Sequence, residues 1–210
     1  MTALDPERIA SAALRIARGE GIKGFTMRAV AEELGVTPMA LYHHVQGKAE
    51  LAALVIDAAI RTQPLPSPTG DWQDDLWEMA RWIRESMLRD PVIGHLRLEY
   101  RVLTPTMLRV TERWFGLWLQ SGLALEQAML AARTSITSIA GVAAEELSLS
   151  RTKRPGRAEL AQLPNVRLLA RAPRDRDAQF ELVARSLIEG LQARLSSRAG
   201  GLPCPPSPRS

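Results

Sequence analysis

Between Thr26 and Lys48 the chain sets out side chains that could hold a polyanion and read what it carries. The stretch runs Phe25-Thr26-Met27-Arg28-Ala29-Val30-Ala31-Glu32-Glu33-Leu34-Gly35-Val36-Thr37-Pro38-Met39-Ala40-Leu41-Tyr42-His43-His44-Val45. Thr26 can cap a short helix whose inner face is Val30, Ala31 and Leu34. Gly35 can take the left-handed conformation that ends this helix, and Val36 can plug the corner. Thr37 can cap a second short helix with Leu41 and Val45 inside. Two short helices joined by a Gly-containing turn form a helix-turn-helix, and the small Ala31 lets them approach closely. Thr37, Met39, Ala40 and His43 then lie on the outer face of the second helix, which fits the DNA major groove. Tyr42, His44 and Lys48 flank it with polar tips that can reach phosphates. Helix N-termini near Thr26 and Gly47 add backbone N–H groups and positive dipole ends. Adjacent His43 and His44 point about 100° apart on a helix, which argues against a shared metal.

The elements that must position these residues are punctuated by proline. Asp5-Pro6, Thr37-Pro38, Asp90-Pro91 and Thr104-Pro105 each pair a good N-cap with a residue suited to the first helical position. Pro64, Pro66 and Pro68 mark a linker or corner from Gln63 to Gly70. Pro203, Pro205, Pro206 and Pro208 mark a tail. The apolar period between these marks is helical nearly everywhere, and no run of alternating β-branched residues is present. The expectation is an all-α fold with helices near 5–19, 26–34, 38–44, 48–61, 71–89, 91–102, 105–121, 125–148 and 178–196. The arginine-rich, proline-interrupted segment from Ser150 to Asp177 reads mostly as a long loop.

Composition narrows the class. The 210 residues are 46% hydrophobic and 24% charged, with a net charge of +4, a normal globular mix that permits a polyanionic partner. The single cysteine, Cys204, excludes an internal disulfide framework, and with three histidines it argues against a dedicated metal site. No run approaches the roughly 18 apolar residues of a membrane span, and the N-terminus lacks the order of a signal peptide. A cytoplasmic protein is expected. Residues 1–61 balance Arg8, Arg15, Arg18, Lys23, Arg28, Lys48 and Arg61 against Asp5, Glu7, Glu20, Glu32, Glu33, Glu50 and Asp57. DNA affinity would therefore have to come from local placement of cations, helix dipoles and two half-sites read by a dimer.

The segment from about Pro6 to Ile60 resembles the DNA-binding domain of the tetracycline-repressor (TetR) family of regulators. The match is densest at Phe25-Thr26, Val30-Ala31, Leu34-Gly35-Val36, Leu41-Tyr42-His43-His44-Val45, Lys48 and Leu51. The rest of the chain matches in helix count, length and two long final helices. The resemblance implies that Arg28, Pro38, Met39, Ala40 and His43 read bases. It implies that Thr26, Tyr42 and Lys48 hold phosphates, and Thr37 and His44, placed beside them, are expected to do the same. Among the base readers only Arg28 carries a strong bidentate fork for guanine, while Met39 and Ala40 offer apolar contact.

Seven of the ten aromatic residues, Trp72, Trp77, Trp82, Tyr100, Trp114, Phe115 and Trp118, fall between 72 and 118. Met79, Met87 and Met107 share that span. Core packing accounts for most of them, and two or three are expected to line an apolar cavity. The candidates are Trp82, Met87, His95, Tyr100, Met107, Trp114, Trp118 and Thr134, with Arg97 and Glu99 as further polar groups. The family resemblance implies that such a pocket takes a small-molecule effector that weakens DNA binding. Small residues from Ala128 to Ala144, with the helix 178–196, could form a four-helix bundle across a two-fold axis. The homodimer would match a palindromic, double-stranded operator. The expected organisation is a helix-turn-helix domain over 1–47, a connecting helix over 48–61, a ligand-binding and dimerisation domain over 71–196 and a tail without fixed structure over 197–210. Two other classes compete. Gly21-Ile22-Lys23-Gly24 matches the GxxG loop of KH modules, which bind RNA, but the strands of that fold are not predicted. An all-α enzyme would need a catalytic motif, and no Gly-x-Ser-x-Gly elbow, phosphate loop or His-Glu-x-x-His is present. Neither a catalytic residue nor a cofactor is expected.

Overall fold

The computed structural model describes residues 4–149, 156, 160–171 and 173–197. Its elements follow from capping chemistry. α1 (Pro6–Gly24) starts on Asp5, whose carboxylate accepts the Arg8 N–H at 2.8 Å, and kinks at Gly21. α2 (Met27–Glu33) and α3 (Pro38–Tyr42) start on the Thr26 and Thr37 hydroxyls. α4 (Lys48–Arg61) and α5 (Trp72–Leu88) flank the proline-rich corner. α6 (Pro91–Tyr100) and α7 (Pro105–Gln120) start on Asp90 and Thr104, so each Asp-Pro and Thr-Pro pair sits at a helix start. α8 (Leu125–Leu149), α9 (Pro164–Arg171) and α10 (Arg176–Ser196) complete the chain. The fold is all-α, with no strand among the described residues.

Two features differ from expectation. α3 ends at Tyr42 rather than His44, because the His44 N–H turns back to the Leu41 carbonyl in a tighter turn. Part of the segment read as loop is helical: α9 forms with Val166, Leu168 and Leu169 exposed. The proline-rich tail lies outside the described residues except at Ser197.

Two hydrophobic cores organise the helices. The first joins α1–α4 through Ile9, Ile16, Phe25, Val30, Leu41 and Leu51, and it also takes Ile93 and Leu96 from α6. The second joins α5, α7, α8 and α10 around Met79, Trp114, Trp118, Ile139, Phe180 and Ile188. The small residues of α8 divide between its two sides. Ala128, Ala131, Ala132, Ser135 and Ala143 are buried inside the protomer, where they make room for two indoles. Trp114 Nε1 donates to the Ala132 carbonyl and the Ser135 hydroxyl, and Trp118 Nε1 donates to the same hydroxyl at 3.0 Å. α6 lies hard against the end of α5 and against α8 at Gly94. A Cβ there would stand 2.5 Å from the Met87 carbonyl oxygen and 2.7 Å from Leu147. α6 therefore joins the first core while packing closely on α5 and α8.

α4 is tied to α7 by a cross-element cap. Asp57 Oδ1 accepts the Thr106 N–H at 2.9 Å. Burial pushes this carboxyl up, but hydrogen bonds from the Thr106 backbone and from the Thr104 and Thr106 hydroxyls, with Arg61 nearby, outweigh burial and hold it below its ordinary value. A carboxylate with a depressed folded pKa contributes stability above its unfolded value, about 3.9, and loses it as pH falls through the folded value. Asp57→Asn is expected to be less stable than the parent at pH 7, with the difference shrinking as pH drops below about 4. Urea midpoints at both pH values check this.

Candidate nucleic-acid interface

The helix-turn-helix is fixed by its corner. The Val36 N–H bonds the Ala31 carbonyl at 2.9 Å and the Gly35 N–H bonds the Glu32 carbonyl at 3.0 Å, the paired bonds of a Schellman cap. Gly35 holds φ at +66°, and a Cβ there would meet nothing within 4 Å. Its requirement for glycine is therefore one of backbone conformation and not of space. Gly35→Ala is expected to cost about 1–2 kcal/mol, read as a lower denaturant midpoint; an unchanged midpoint would show that the corner tolerates a side chain.

α2 and α3 turn opposite faces to the core and to solvent. Met27, Val30 and Ala31 are buried while Arg28 is exposed; Leu41 and Val45 are buried while Thr37, Pro38, Met39, Tyr42, His43 and His44 are exposed. Met39 is 69% and Tyr42 47% exposed, large apolar surface that the protomer does not use. Ala40 and Thr26 are half-buried, and both threonine hydroxyls are engaged in capping, Thr26 to the Ala29 N–H and Thr37 to the Ala40 N–H. Lys48 is exposed at the start of α4.

The balanced charge of the first 61 residues is not evenly distributed in space. Glu33 pairs with Arg15 at 2.9 Å, Glu7 with Arg61 at 3.1 Å, and Arg18 reaches out to Asp90. Arg28 and Lys48 have no ion-pair partner among the described residues. The ion pairs lie away from α3, so Arg28 and Lys48 stand unpaired on the helix-turn-helix, although Glu32 and Glu50 are exposed there too. The GxxG segment forms the end of α1.

Residues 9–55 match the family model described as bacterial regulatory proteins, tetR family, and residues 63–195 match the tetracyclin repressor-like C-terminal domain. The chain belongs to the TetR family. It is accordingly a DNA-binding transcriptional regulator and not an enzyme. Among relatives, the HTH-type transcriptional repressor DrrR1 of Streptomyces coeruleorubidus is 36% identical over 109 residues, which cover 51% of this chain and 40% of that protein. BioQ, solved with its double-stranded DNA operator, is 26% identical with a TM-score of 0.68, over 91% of this chain and 99% of that one. ActR of Streptomyces coelicolor, solved in complex with actinorhodin, is 29% identical with a TM-score of 0.76, over 95% of this chain and 100% of that one.

Within this TetR-family chain the effector candidates separate by burial. Met87, Trp114 and Trp118 are buried, the two indoles with their N–H groups spent on Ala132 and Ser135. Thr134 faces solvent. His95 is half-buried with Nδ1 on the Pro91 carbonyl. Trp82, Tyr100 and Met107 are half-buried and pack against the first core, Tyr100 with its ring 6.1 Å from that of Phe25. Burial, with Glu99 beside it, raises the Tyr100 phenol. Sequence reasoning placed α6 wholly in the second domain and missed its part in the first core; the apolar spacing of Ile93 and Leu96 marks a buried face but does not say against what. Among the described residues no helix is long and apolar enough to cross a membrane.

Proposed function

We propose that this TetR-family regulator is a homodimeric repressor, working in the cytoplasm, that binds a palindromic operator and releases it when a small apolar or amphipathic effector binds. The observation that carries the reading is the rigidly capped helix-turn-helix with exposed Met39 and Tyr42 beside unpaired Arg28 and Lys48. In this reading Arg28, Pro38, Met39, Ala40 and His43 face base edges, and Thr26, Thr37, Tyr42, His44 and Lys48 hold phosphates. Thr26 and Thr37, with hydroxyl protons left after capping, can donate them to phosphate oxygens. Residues 1–47 read DNA, 48–61 connect, and 71–196 sense and dimerise. The description of DrrR1 as a repressor and the operator complex of BioQ support the DNA-binding side.

Dimerisation is supported by the outward faces of the two long helices. Leu130, Thr134, Thr137 and Gly141 on α8, and Leu182, Ser186, Glu189 and Ala193 on α10, are exposed or nearly so at spacings of three and four. Mostly small side chains in such a stripe permit close helix approach across a two-fold axis. The effector side draws support from ActR, solved with actinorhodin. Trp82, Tyr100 and Met107 are the sequence candidates best placed for it, because they touch the first core, and a ligand against them would bear on the reading head directly. Release requires that the ligand bind more tightly to the conformation in which the two heads are misplaced.

Selection of bound sequences from random duplex DNA tests this reading. Enrichment of an inverted repeat with half-sites about one helical turn apart is expected. A monomeric protein that enriches nothing, or one that retains RNA over duplex DNA, would defeat it.

A further inference from the structure

The reading head and the sensing helices do not meet flush. A cleft of about 450 Å³ lies between them, walled by α1 and α4 on one side and by the end of α5 and the start of α6 on the other. Its floor is apolar, with Leu14, Val55, Ala58, Ala59 and Ile93. Its polar features gather at the α5–α6 side: Ser86, Arg89 and Asp90, with Arg18 entering from α1. Arg18 and Asp90 satisfy each other across the opening. Arg89 has no ion-pair partner among the described residues.

Behind Ser86 stands a second cation. Arg97 Nη1 donates to the Ser86 hydroxyl at 2.9 Å, and that hydroxyl donates onward to the Ile83 carbonyl at 2.8 Å. No carboxylate pairs with this guanidinium among the described residues. Burial pulls its pKa down to about 10, so it stays charged at neutral pH without a counter-ion. A largely buried charge left uncompensated is costly. Standing behind the cleft wall, this charge favours an anion in the cleft over a neutral group. Ser86 stands between Arg97 and the cleft, and the free Arg89 stands on the same wall.

We propose that this interdomain cleft is a ligand site for a small amphipathic carboxylate. The carboxylate lies against Arg89 in the field of Arg97, and the hydrocarbon covers Ala58, Ala59, Val55 and Leu14. The volume is within the range of small-molecule pockets, about 300–1,000 Å³. An occupant touches α1 and α4 on one side and α5 and α6 on the other, so it fixes the setting of the reading head without entering the aromatic second core. The site is separate from the effector candidates Trp82, Tyr100 and Met107, and its occupancy can be tested without DNA.

Calorimetric titration of the full chain, free of DNA, with decanoate, phenylacetate and neutral decanol tests the proposal. At least one carboxylate should bind at or below about 1 mM, the weak end of specific affinity, and decanol should bind more weakly. Arg89→Glu should weaken carboxylate binding roughly tenfold or more, the scale of one charge-assisted hydrogen bond. Ser11→Trp, which adds bulk at an exposed lining position, should block it while leaving the thermal midpoint near that of the parent. Absence of binding by both carboxylates overturns the proposal. So does binding that both variants leave unchanged, because the ligand then sits elsewhere. Operator affinity of the ligand-free variants, measured in parallel, keeps a failure of this site distinct from a failure of the DNA-binding reading.

Discussion

Glu146→Leu is expected to lower the free energy of unfolding by about 3–5 kcal/mol, the cost of stranding one member of a buried ion pair. Arg84 on α5 grips Glu146 on α8 with two parallel bonds, Nε to Oε1 at 2.8 Å and Nη2 to Oε2 at 2.9 Å. Its remaining nitrogen reaches Asp177 on α10 at 2.8 Å, and the guanidinium lies 4.9 Å above the centre of the Phe180 ring. Glu146 is only 8% exposed. Burial alone would lower the Arg84 pKa, yet the bonds to Glu146 and Asp177 outweigh it and hold the group above its ordinary value. One side chain thus ties three helices of the second core, and removal of Glu146 leaves the buried side of the guanidinium unpaired, with the exposed Asp177 as its one remaining carboxylate. Arg84→Met combined with Glu146→Leu should recover most of the loss, because a well-packed apolar pair is about as stable as a buried ionic one. Denaturant midpoints of the singles and the double, at one fixed protein concentration, give the coupling. A single-variant loss below about 1 kcal/mol would mean that the pair behaves as a surface bridge.

What could be read from the sequence and what could not divide along a physical line. Local chemistry was legible. Asp5, Thr37, Asp90 and Thr104 cap the helices that their Asp-Pro and Thr-Pro pairs predict, since a cap depends on residues two or three positions apart. The corner at Gly35 was legible for the same reason. Partnership was not. Nothing local tells Ile93 and Leu96 to join the core of α1–α4 and not their own neighbours, and no pattern shows that Ser135 serves Trp114 and Trp118 together, although a lone hydroxyl in an alanine-rich apolar face was a usable signal. α9 was missed because Leu163, the residue before Pro164, is no cap, and the apolar residues of the helix find no core to confirm them. At the candidate interface the exposure of Arg28, Met39, Tyr42 and Lys48 was legible, but which cations are ion-paired was not. The equal count of cations and anions in residues 1–61 predicts a weak field, whereas Arg15 and Arg61 engage Glu33 and Glu7 and leave Arg28 and Lys48 free.

That selective pairing separates two kinds of DNA contact, and substitution should distinguish them. Lys48→Ala and Tyr42→Phe are expected to weaken binding to every duplex alike, because phosphates carry no sequence. Loss of the Lys48 charge should shallow the salt dependence of log K by about 0.9 per contact, counted twice in a dimer, whereas Tyr42→Phe, which removes a neutral hydroxyl, should leave the slope unchanged. Arg28→Ala is expected to act differently. Pro38, Met39 and Ala40 offer mainly apolar surface, so discrimination of guanine rests on the exposed guanidinium of Arg28, and its removal should erase about 1–3 kcal/mol of preference at one base pair in each half-site. Titrations of the selected operator and of half-site variants at two salt concentrations read both quantities. If Arg28→Ala reduces affinity for all duplexes equally and shallows the salt slope as Lys48→Ala does, the guanidinium holds a phosphate. Sequence choice would then have to come from His43, from methyl contacts of Met39 and Ala40, or from the deformability of the DNA between the two heads.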